Sequence, residues 1–133
     1  MTIHELRFPE PEAGPTRAAI YVRLAAPWVS REKLERRVAL ELEACRLFAR
    51  RQGWIVLGEF VDRSRRPAED LAFAELLERT EAGEVDVLLC ADIQHLTRAQ
   101  PELWRWLEIA ERRGLQIVSA AEGRLPVRAA VTA

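Results

Sequence analysis

Short apolar runs rich in β-forming residues alternate with longer segments of helical periodicity, and this alternation constrains the fold most. The four apolar runs cover residues 17–24, 54–61, 85–91 and 115–119. The three helical segments cover residues 30–52, 68–81 and 101–113, and a glycine follows each one, namely Gly53, Gly83 and Gly114. Strands connected by helices run parallel, because a crossover helix returns the chain to the same end of the sheet.

The run at 85–91 (VDVLLCA) is almost continuously apolar, as expected for a central strand covered on both faces. We therefore predict a three-layer α/β domain, with an open, mostly parallel sheet of four or five strands and helices on both faces. A chain of 133 residues has room for one such domain. We place a flexible, Pro- and Glu-rich arm at 1–16, the folded domain at 17–120, and a tail without a strong pattern at 121–133.

The periodicity of the first two helical segments predicts which side chains face the sheet. In the first helix, Ser30 is the expected N-cap, and the inner stripe comprises Leu34, Val38, Leu42, Cys45 and Ala49. In the second helix, the expected inner residues are Leu71, Ala74 and Leu77, with Phe73 as a further candidate.

Composition excludes several classes of function. The net charge of −1 gives no general attraction to nucleic acid or to acidic membranes. No apolar run approaches the ~20 residues of a membrane span, and the N-terminus does not resemble a signal peptide, so we expect a cytoplasmic protein. Cys45 and Cys90 lie in apolar patterns typical of buried free thiols. They are not closely spaced with His4 or His95, so we predict neither a metal site nor a cofactor.

Sites in parallel sheets form at the carboxyl ends of the strands. In this chain those ends comprise residues 24–28, 62–67, 92–98 and 119–124. The segment after the first strand reads RLAAPW and has no glycine, which argues against a nucleotide-binding phosphate loop.

Five segments carry a family resemblance. They are IYVRL at 20–24, the segment 43–54 that begins EACR and ends GW, EFVD at 59–62, the segment 73–89, and LTR at 96–98. Their order and spacing over residues 18–119 resemble the N-terminal catalytic domain of serine site-specific recombinases, the resolvase and invertase family. In that family a serine hydroxyl attacks a DNA phosphodiester and becomes linked to the 5′ phosphate, while arginines neutralise the phosphoryl oxygens.

The resemblance also implies that the catalytic residues are lost. Two residues after Arg23, where the family has its nucleophilic serine, this chain has Ala25. Gln94 and His95 replace an Asp-Arg pair, and Asp70 falls where the family has a loop arginine. A methyl group cannot attack phosphorus, so we expect a pseudo-enzyme.

Some replacements for the lost groups can be considered. Ser30 is a possible substitute nucleophile, although it fits a helix N-cap. Arg65 and Arg66 could be the loop arginine displaced by a shortened loop. With Arg23 and Arg98, which keep the family's identity, they would form a remnant phosphate site, and Arg63 belongs to the same basic loop. His95 could act as a general base, but a hydrogen-bonded loop histidine is the simpler interpretation.

Two tryptophans are candidate interface residues. Trp104 and Trp106 diverge by roughly 200° on a helix, and the apolar stripe lies nearer Trp106, so Trp104 is expected to be the more exposed. Trp28 would either contact a partner or fill the space that Ala25 leaves.

Three functional hypotheses follow. The leading one is a catalytically inactive recombinase-like domain, from a bacterial mobile element, that contacts a recombinase, another regulatory protein or itself, with weak or absent DNA binding and no membrane association. The second is a recombinase fragment with displaced catalytic groups. The third is a module that binds nucleic acid or phosphate through Arg23, Arg98 and the loop 63–66. Only fourteen residues follow Ser119, so we expect neither the family's dimerisation helix nor its DNA-binding domain in this chain.

Overall fold

The computed structural model describes residues 14–24, 28–63, 71–92 and 108–124. The elements in these ranges are β1 (Arg17–Arg23), α1 (Arg31–Gln52), β2 (Ile55–Asp62), α2 (Leu71–Glu81), β3 (Val87–Cys90), β4 (Gln116–Ser119) and β5 (Gly123–Arg124). Residues 108–113 are also helical, and Gly114 follows them with a positive φ of 72°. This stretch lies within the third predicted helix, the rest of which lies outside the described residues.

The strands form one sheet in the order β2-β1-β3-β4-β5. β1 pairs in parallel with both β2 and β3, and β3 pairs in parallel with β4. β5 pairs antiparallel with β4. The predicted open, mostly parallel α/β sheet is therefore confirmed. β5 lies where the sequence shows no strand pattern, because two residues are too few to establish a period.

Helix α1 begins and ends where the sequence predicts. The Ser30 hydroxyl accepts a hydrogen bond from the backbone N–H of Lys33 at 3.2 Å, so Ser30 is the N-cap. Gly53 ends the helix in the left-handed region, with φ 74°, which glycine adopts without steric cost. Val38, Cys45 and Ala49 are buried, as the predicted inner stripe requires.

Helix α2 presents only part of the predicted inner face to the sheet: Phe73 is buried, and Leu77 is partly buried and packs against the core, as predicted. Leu71 is 78% exposed and Ala74 is also exposed, so their assignment to the inner face is wrong. The buried residues are Phe73, Leu76 and Thr80. Apolar side chains surround much of this short helix, so periodicity alone leaves its rotation open. Thr80 is buried without an unsatisfied hydroxyl, because that group donates to the Leu76 carbonyl at 2.8 Å.

Two core layers cover the two faces of the sheet, as predicted. On one face, α1 packs against alternate β1 residues, namely Ala18, Ile20 and Val22. On the other face, the intervening Ala19 and Tyr21 pack with α2 residues and with Ile109 from the helical stretch 108–113. β1 is therefore buried on both sides.

Ion pairs connect elements that are distant in sequence. Arg17, at the start of β1, donates to the Asp86 carboxylate through its backbone N–H (2.8 Å) and through its guanidinium (3.1 and 3.0 Å). Partial burial opposes ionisation of Asp86, but the Arg17 hydrogen bonds and charge outweigh it and lower the pKa of that carboxyl. Arg112 donates to Glu81 at 2.6 Å, which connects the helical stretch 108–113 to α2.

Both cysteines are free and buried, as predicted. Burial, with smaller contributions from Glu41 and Glu59, raises the pKa of the Cys45 thiol to about 12. Burial likewise raises the pKa of Cys90, whose thiol lies 3.5 Å from the Val118 carbonyl.

The thiols of the folded chain should therefore resist alkylation and disulfide exchange at about pH 8, because the reactive thiolate is scarce and inaccessible. Ellman's reagent should titrate almost no thiol in native buffer and both thiols in guanidinium chloride. One thiol that reacts rapidly in native buffer would contradict the burial described here.

A matched pair of substitutions in α2 tests its rotation. Leu76→Ala should lower the free energy of unfolding by about 2–5 kcal/mol, because it leaves a cavity in the core. The same change at the exposed Leu71 should alter it by less than about 0.5 kcal/mol. Urea denaturation of both variants measures the difference, and equal losses would contradict the observed rotation.

Candidate functional site

The carboxyl ends of the four parallel strands meet at one edge of the sheet. β1 ends at Arg23, β2 at Asp62 and β4 at Ser119, while Asp92 follows β3 closely. Binding and catalytic groups collect at this edge in open parallel sheets. The edge is therefore the candidate site, as the sequence predicts.

Asp62 organises the described part of this edge. It is only 4% exposed, and its carboxylate accepts three hydrogen bonds. The backbone N–H groups of Ala72 and Phe73, in the first turn of α2, donate to it at 3.0 and 2.9 Å, and the Tyr21 hydroxyl donates at 2.8 Å. The N-terminus of a helix favours a negative charge, so the carboxylate fixes where α2 begins relative to the sheet.

Asp62 also joins β1 to β2. Its Cα is paired with that of Arg23 in the strand register, and its carbonyl accepts from the Leu24 N–H at 3.1 Å. The second predicted strand stopped at residue 61 and left Asp62 in the connection that follows it; instead Asp62 is the last residue of β2 and is buried. The available signal was its position at the end of the EFVD segment, which runs directly from a strand toward a helix.

The basic residues of the edge differ in their surroundings. Arg23 is half-buried at the end of β1. Arg63 forms a two-pronged ion pair with Glu35 of α1, with nitrogen–oxygen distances of 2.6 and 2.8 Å. This pair lowers the pKa of Glu35, through its hydrogen bonds from Arg63. The Arg63 guanidinium is thus already neutralised by a carboxylate.

The hydroxyl of Ser119 is also engaged. It lies 3.3 Å from the Ala91 carbonyl and forms a hydrogen bond with the Glu122 carboxylate. The Glu122 N–H in turn points to this hydroxyl at 3.4 Å. These contacts close the turn that leads from β4 into β5. The Ser119 hydroxyl therefore stabilises the turn after β4.

Trp28 lies in the connection between β1 and α1 and is 75% exposed. A side chain with this exposure does not fill an internal space, so the alternative that Trp28 occupies the volume left by Ala25 is wrong. Its assignment as an interface residue stays a prediction.

The remaining site residues named from the sequence lie outside the described residues. They are Ala25, Arg65, Arg66, Asp70, Gln94, His95, Arg98 and Trp104. Among the residues that the structure does describe, no group of three or more His, Cys, Asp or Glu side chains is placed to hold a metal ion. Within the same residues, none of the helices has the length and apolarity that crossing a membrane requires.

The fold is that of serine recombinase catalytic domains. The catalytic domain of TP901-1 integrase superposes with a TM-score of 0.62 at 20% identity, over 81% of this chain and 79% of that chain. The catalytic domain of ISC1926 TnpA, an IS607-like serine recombinase, gives 0.60 at 24% identity, over 78% and 70%. A resolvase family recombinase from Streptococcus pneumoniae gives 0.61 at 17% identity, over 81% and 74%.

The sequence identifies the family as well as the fold. The family model described as "Resolvase, N terminal domain" matches residues 18–130. The chain therefore belongs to the resolvase family, and the resemblance found in its sequence is confirmed. No curated protein sequence matches it significantly.

The buried hydrogen bond from Tyr21 to Asp62 predicts that substitutions at these two residues are energetically coupled. Asp62→Ala should lower the free energy of unfolding by about 3 kcal/mol, because three buried donors lose a carboxylate acceptor. Tyr21→Phe should lower the free energy of unfolding by about 1 kcal/mol in the native background. In the Asp62→Ala background it should lower it by close to nothing. Urea denaturation of the four proteins completes the cycle. Equal costs of Tyr21→Phe in both backgrounds would exclude the coupling.

Proposed function

We propose that this resolvase-family domain does not cut DNA and acts through contacts with other proteins. The observation that supports this most is Ala25, at the position to which the resemblance assigns the family's nucleophilic serine. The family reaction begins when a hydroxyl oxygen attacks phosphorus. Alanine has no atom that can form this bond, so the first covalent step has no nucleophile at its usual position.

The serines elsewhere offer poor substitutes. The chain has three: Ser30, Ser64 and Ser119. The Ser30 hydroxyl caps α1, and the Ser119 hydroxyl closes the turn between β4 and β5. Ser64 lies outside the described residues. Recruiting either described serine would leave a helix end or a buried turn without its hydrogen bond, which disfavours a displaced nucleophile.

The phosphate-stabilising charge is reduced too. Asp70, Gln94 and His95 stand where the resemblance leads us to expect an arginine and an Asp-Arg pair. Arg63 is held by Glu35. With a net charge of −1, the chain has little general attraction for DNA. These features favour a protein-contact role over residual nucleic-acid binding through Arg23, Arg65, Arg66 and Arg98.

The domain keeps a buried core although the expected catalytic residues are replaced, and this contrast supports a retained binding function. Both core layers consist of buried apolar side chains, while four positions that the resemblance assigns to the family's catalytic pattern carry other residues. A domain that keeps its packing after losing its chemistry can still bind what the active relatives bind through their surfaces. The proposed partner is a recombinase or another regulatory protein, with self-association as the alternative.

The absence of DNA cleavage can be tested directly. The chain, incubated with supercoiled plasmid at low salt and then denatured, should yield no protein-linked DNA, and neither should Ser30→Ala. Ala25→Ser alone should stay inactive, because the charge cluster is also depleted. An active serine recombinase run in parallel provides the positive control. A covalent adduct with the native chain would overturn the proposal, and one with Ala25→Ser would limit the loss to the nucleophile.

The protein-contact role needs a separate measurement. Solution mass gives the oligomeric state, and affinity capture from the native host identifies any partner. A chain that stays monomeric and captures nothing reproducibly would contradict this role, whatever the DNA assay shows.

A further inference from the structure

The outer surface of α1 carries apolar side chains that the domain itself does not use. Leu40 is 71% exposed and Leu47 is 38% exposed, and Ala44 between them is also exposed. Successive residues turn by about 100° around a helix, so these three side chains lie within about 60° of one another. They face away from Val38, Cys45 and Ala49, which are the residues that bury α1 against the sheet.

The spacing of these residues is that of a helix–helix seam. Leu40, Ala44 and Leu47 are separated by four and then three residues, which is the repeat with which two helices pack side by side. Ala44, the small residue at the centre, allows a neighbouring helix to approach closely. We define the α1 seam as these three residues together with the basic residues on the same face, which are Lys33, Arg37 and Arg51.

Charge decides what fits the α1 seam. Lys33 and Arg37 precede the apolar centre and Arg51 follows it, so both ends are positive. No ion pair between the described residues involves any of these three side chains. Three glutamates flank the seam, and each has a partner: Glu32 pairs with Arg36 at 3.8 Å, Glu43 pairs with Arg46 at 3.3 Å, and Glu41 takes part in a further interaction.

This pattern disfavours a second copy of the chain. In an antiparallel pair of α1 helices, Arg37 of one copy would lie near Arg50 and Arg51 of the other, and in a parallel pair like charges would meet at both ends. A membrane surface is also a poor match, because an interfacial helix needs a broad apolar face and this one is only about 60° wide. A helix with acidic ends satisfies both the apolar centre and the two positive ends.

We propose that the α1 seam docks one helix of a partner protein, with apolar side chains at three- and four-residue spacing and Asp or Glu at both ends. The inference rests on the proposed protein-contact function and names its surface. The seam from Arg37 to Arg51 is about 21 Å long, so the partner helix spans about fourteen residues or more.

Two synthetic peptides test this assignment. Each is an 18-residue capped helix with a central Leu-x-x-x-Ala-x-x-Leu segment, short enough to be kept monomeric. One has glutamates at both ends, and the other has lysines at the same positions. The acidic peptide should bind the full chain at least about tenfold more tightly than the basic one, as measured by anisotropy of labelled peptide. The backbone amide shifts of α1 should change on binding, and the preference should weaken with salt.

Variants locate the contact. Leu40→Glu should weaken binding of the acidic peptide at least about tenfold, because it places a negative charge in the apolar centre of the seam. Leu71→Glu is the matched control, since Leu71 is an equally exposed leucine on α2 and should leave binding unchanged. Arg37→Glu combined with Arg51→Glu should reverse the preference between the peptides. Circular dichroism establishes that each variant is folded.

Several outcomes would overturn the docking assignment. These are equal binding of the two peptides, no binding of the acidic peptide, retained binding by folded Leu40→Glu, or a dimer of the chain that Leu40→Glu dissociates. If any of these occurs while host proteins are still captured and DNA is still uncut, only the docking assignment fails. If the native chain forms a covalent DNA adduct, the proposed function fails independently of the peptide result.

Discussion

Strand β1 is buried on both faces and paired along both edges, and the main elements of the domain are arranged around it. β2 and β3 flank it in the sheet, α1 covers one face, and α2 with the helical stretch 108–113 covers the other. The five residues Ala18–Val22 are almost completely inaccessible to water. Alternate side chains contribute to different core layers, so a shift of one residue in register would exchange the two layers. The Arg17–Asp86 ion pair, at the start of the strand, helps to hold this register.

The carboxyl end of β1 connects the core to the candidate site. Tyr21 lies within the core, and its hydroxyl donates a hydrogen bond to the Asp62 carboxylate. The same carboxylate accepts a hydrogen bond from a backbone N–H in the first turn of α2. One carboxylate thus connects two strands and a helix at the carboxyl edge of the sheet. The end of β1 is therefore held in place by the core, by β2 and by α2 together.

Sequence reasoning recovered the elements whose signals are long or continuous. The bounds of α1 followed from Ser30 and Gly53, and the apolar run that contains β3 indicated a central strand. The rotation of α2 could not be obtained in this way, because Leu71 and Leu76 are equally apolar and only contact with the sheet distinguishes them. Asp62 was misplaced for a related reason: its partner Tyr21 is 41 residues away, and no local pattern records that contact. The catalytic positions depended on the family resemblance, since alanine has no recognisable chemistry of its own.

The irregularity in β2 has a consequence for how this domain can associate. β2 is an outer strand, and Leu57 is an extra residue in it opposite the Ala18–Ala19 step of β1. Such a bulge bends and twists the strand, so its outer backbone groups no longer form a flat template for another chain. At the other side of the sheet, β5 runs against β4 in the opposite direction and occupies that edge. Within the described residues, the bulged β2 and the two-residue β5 are therefore both poor templates for lateral growth of the sheet.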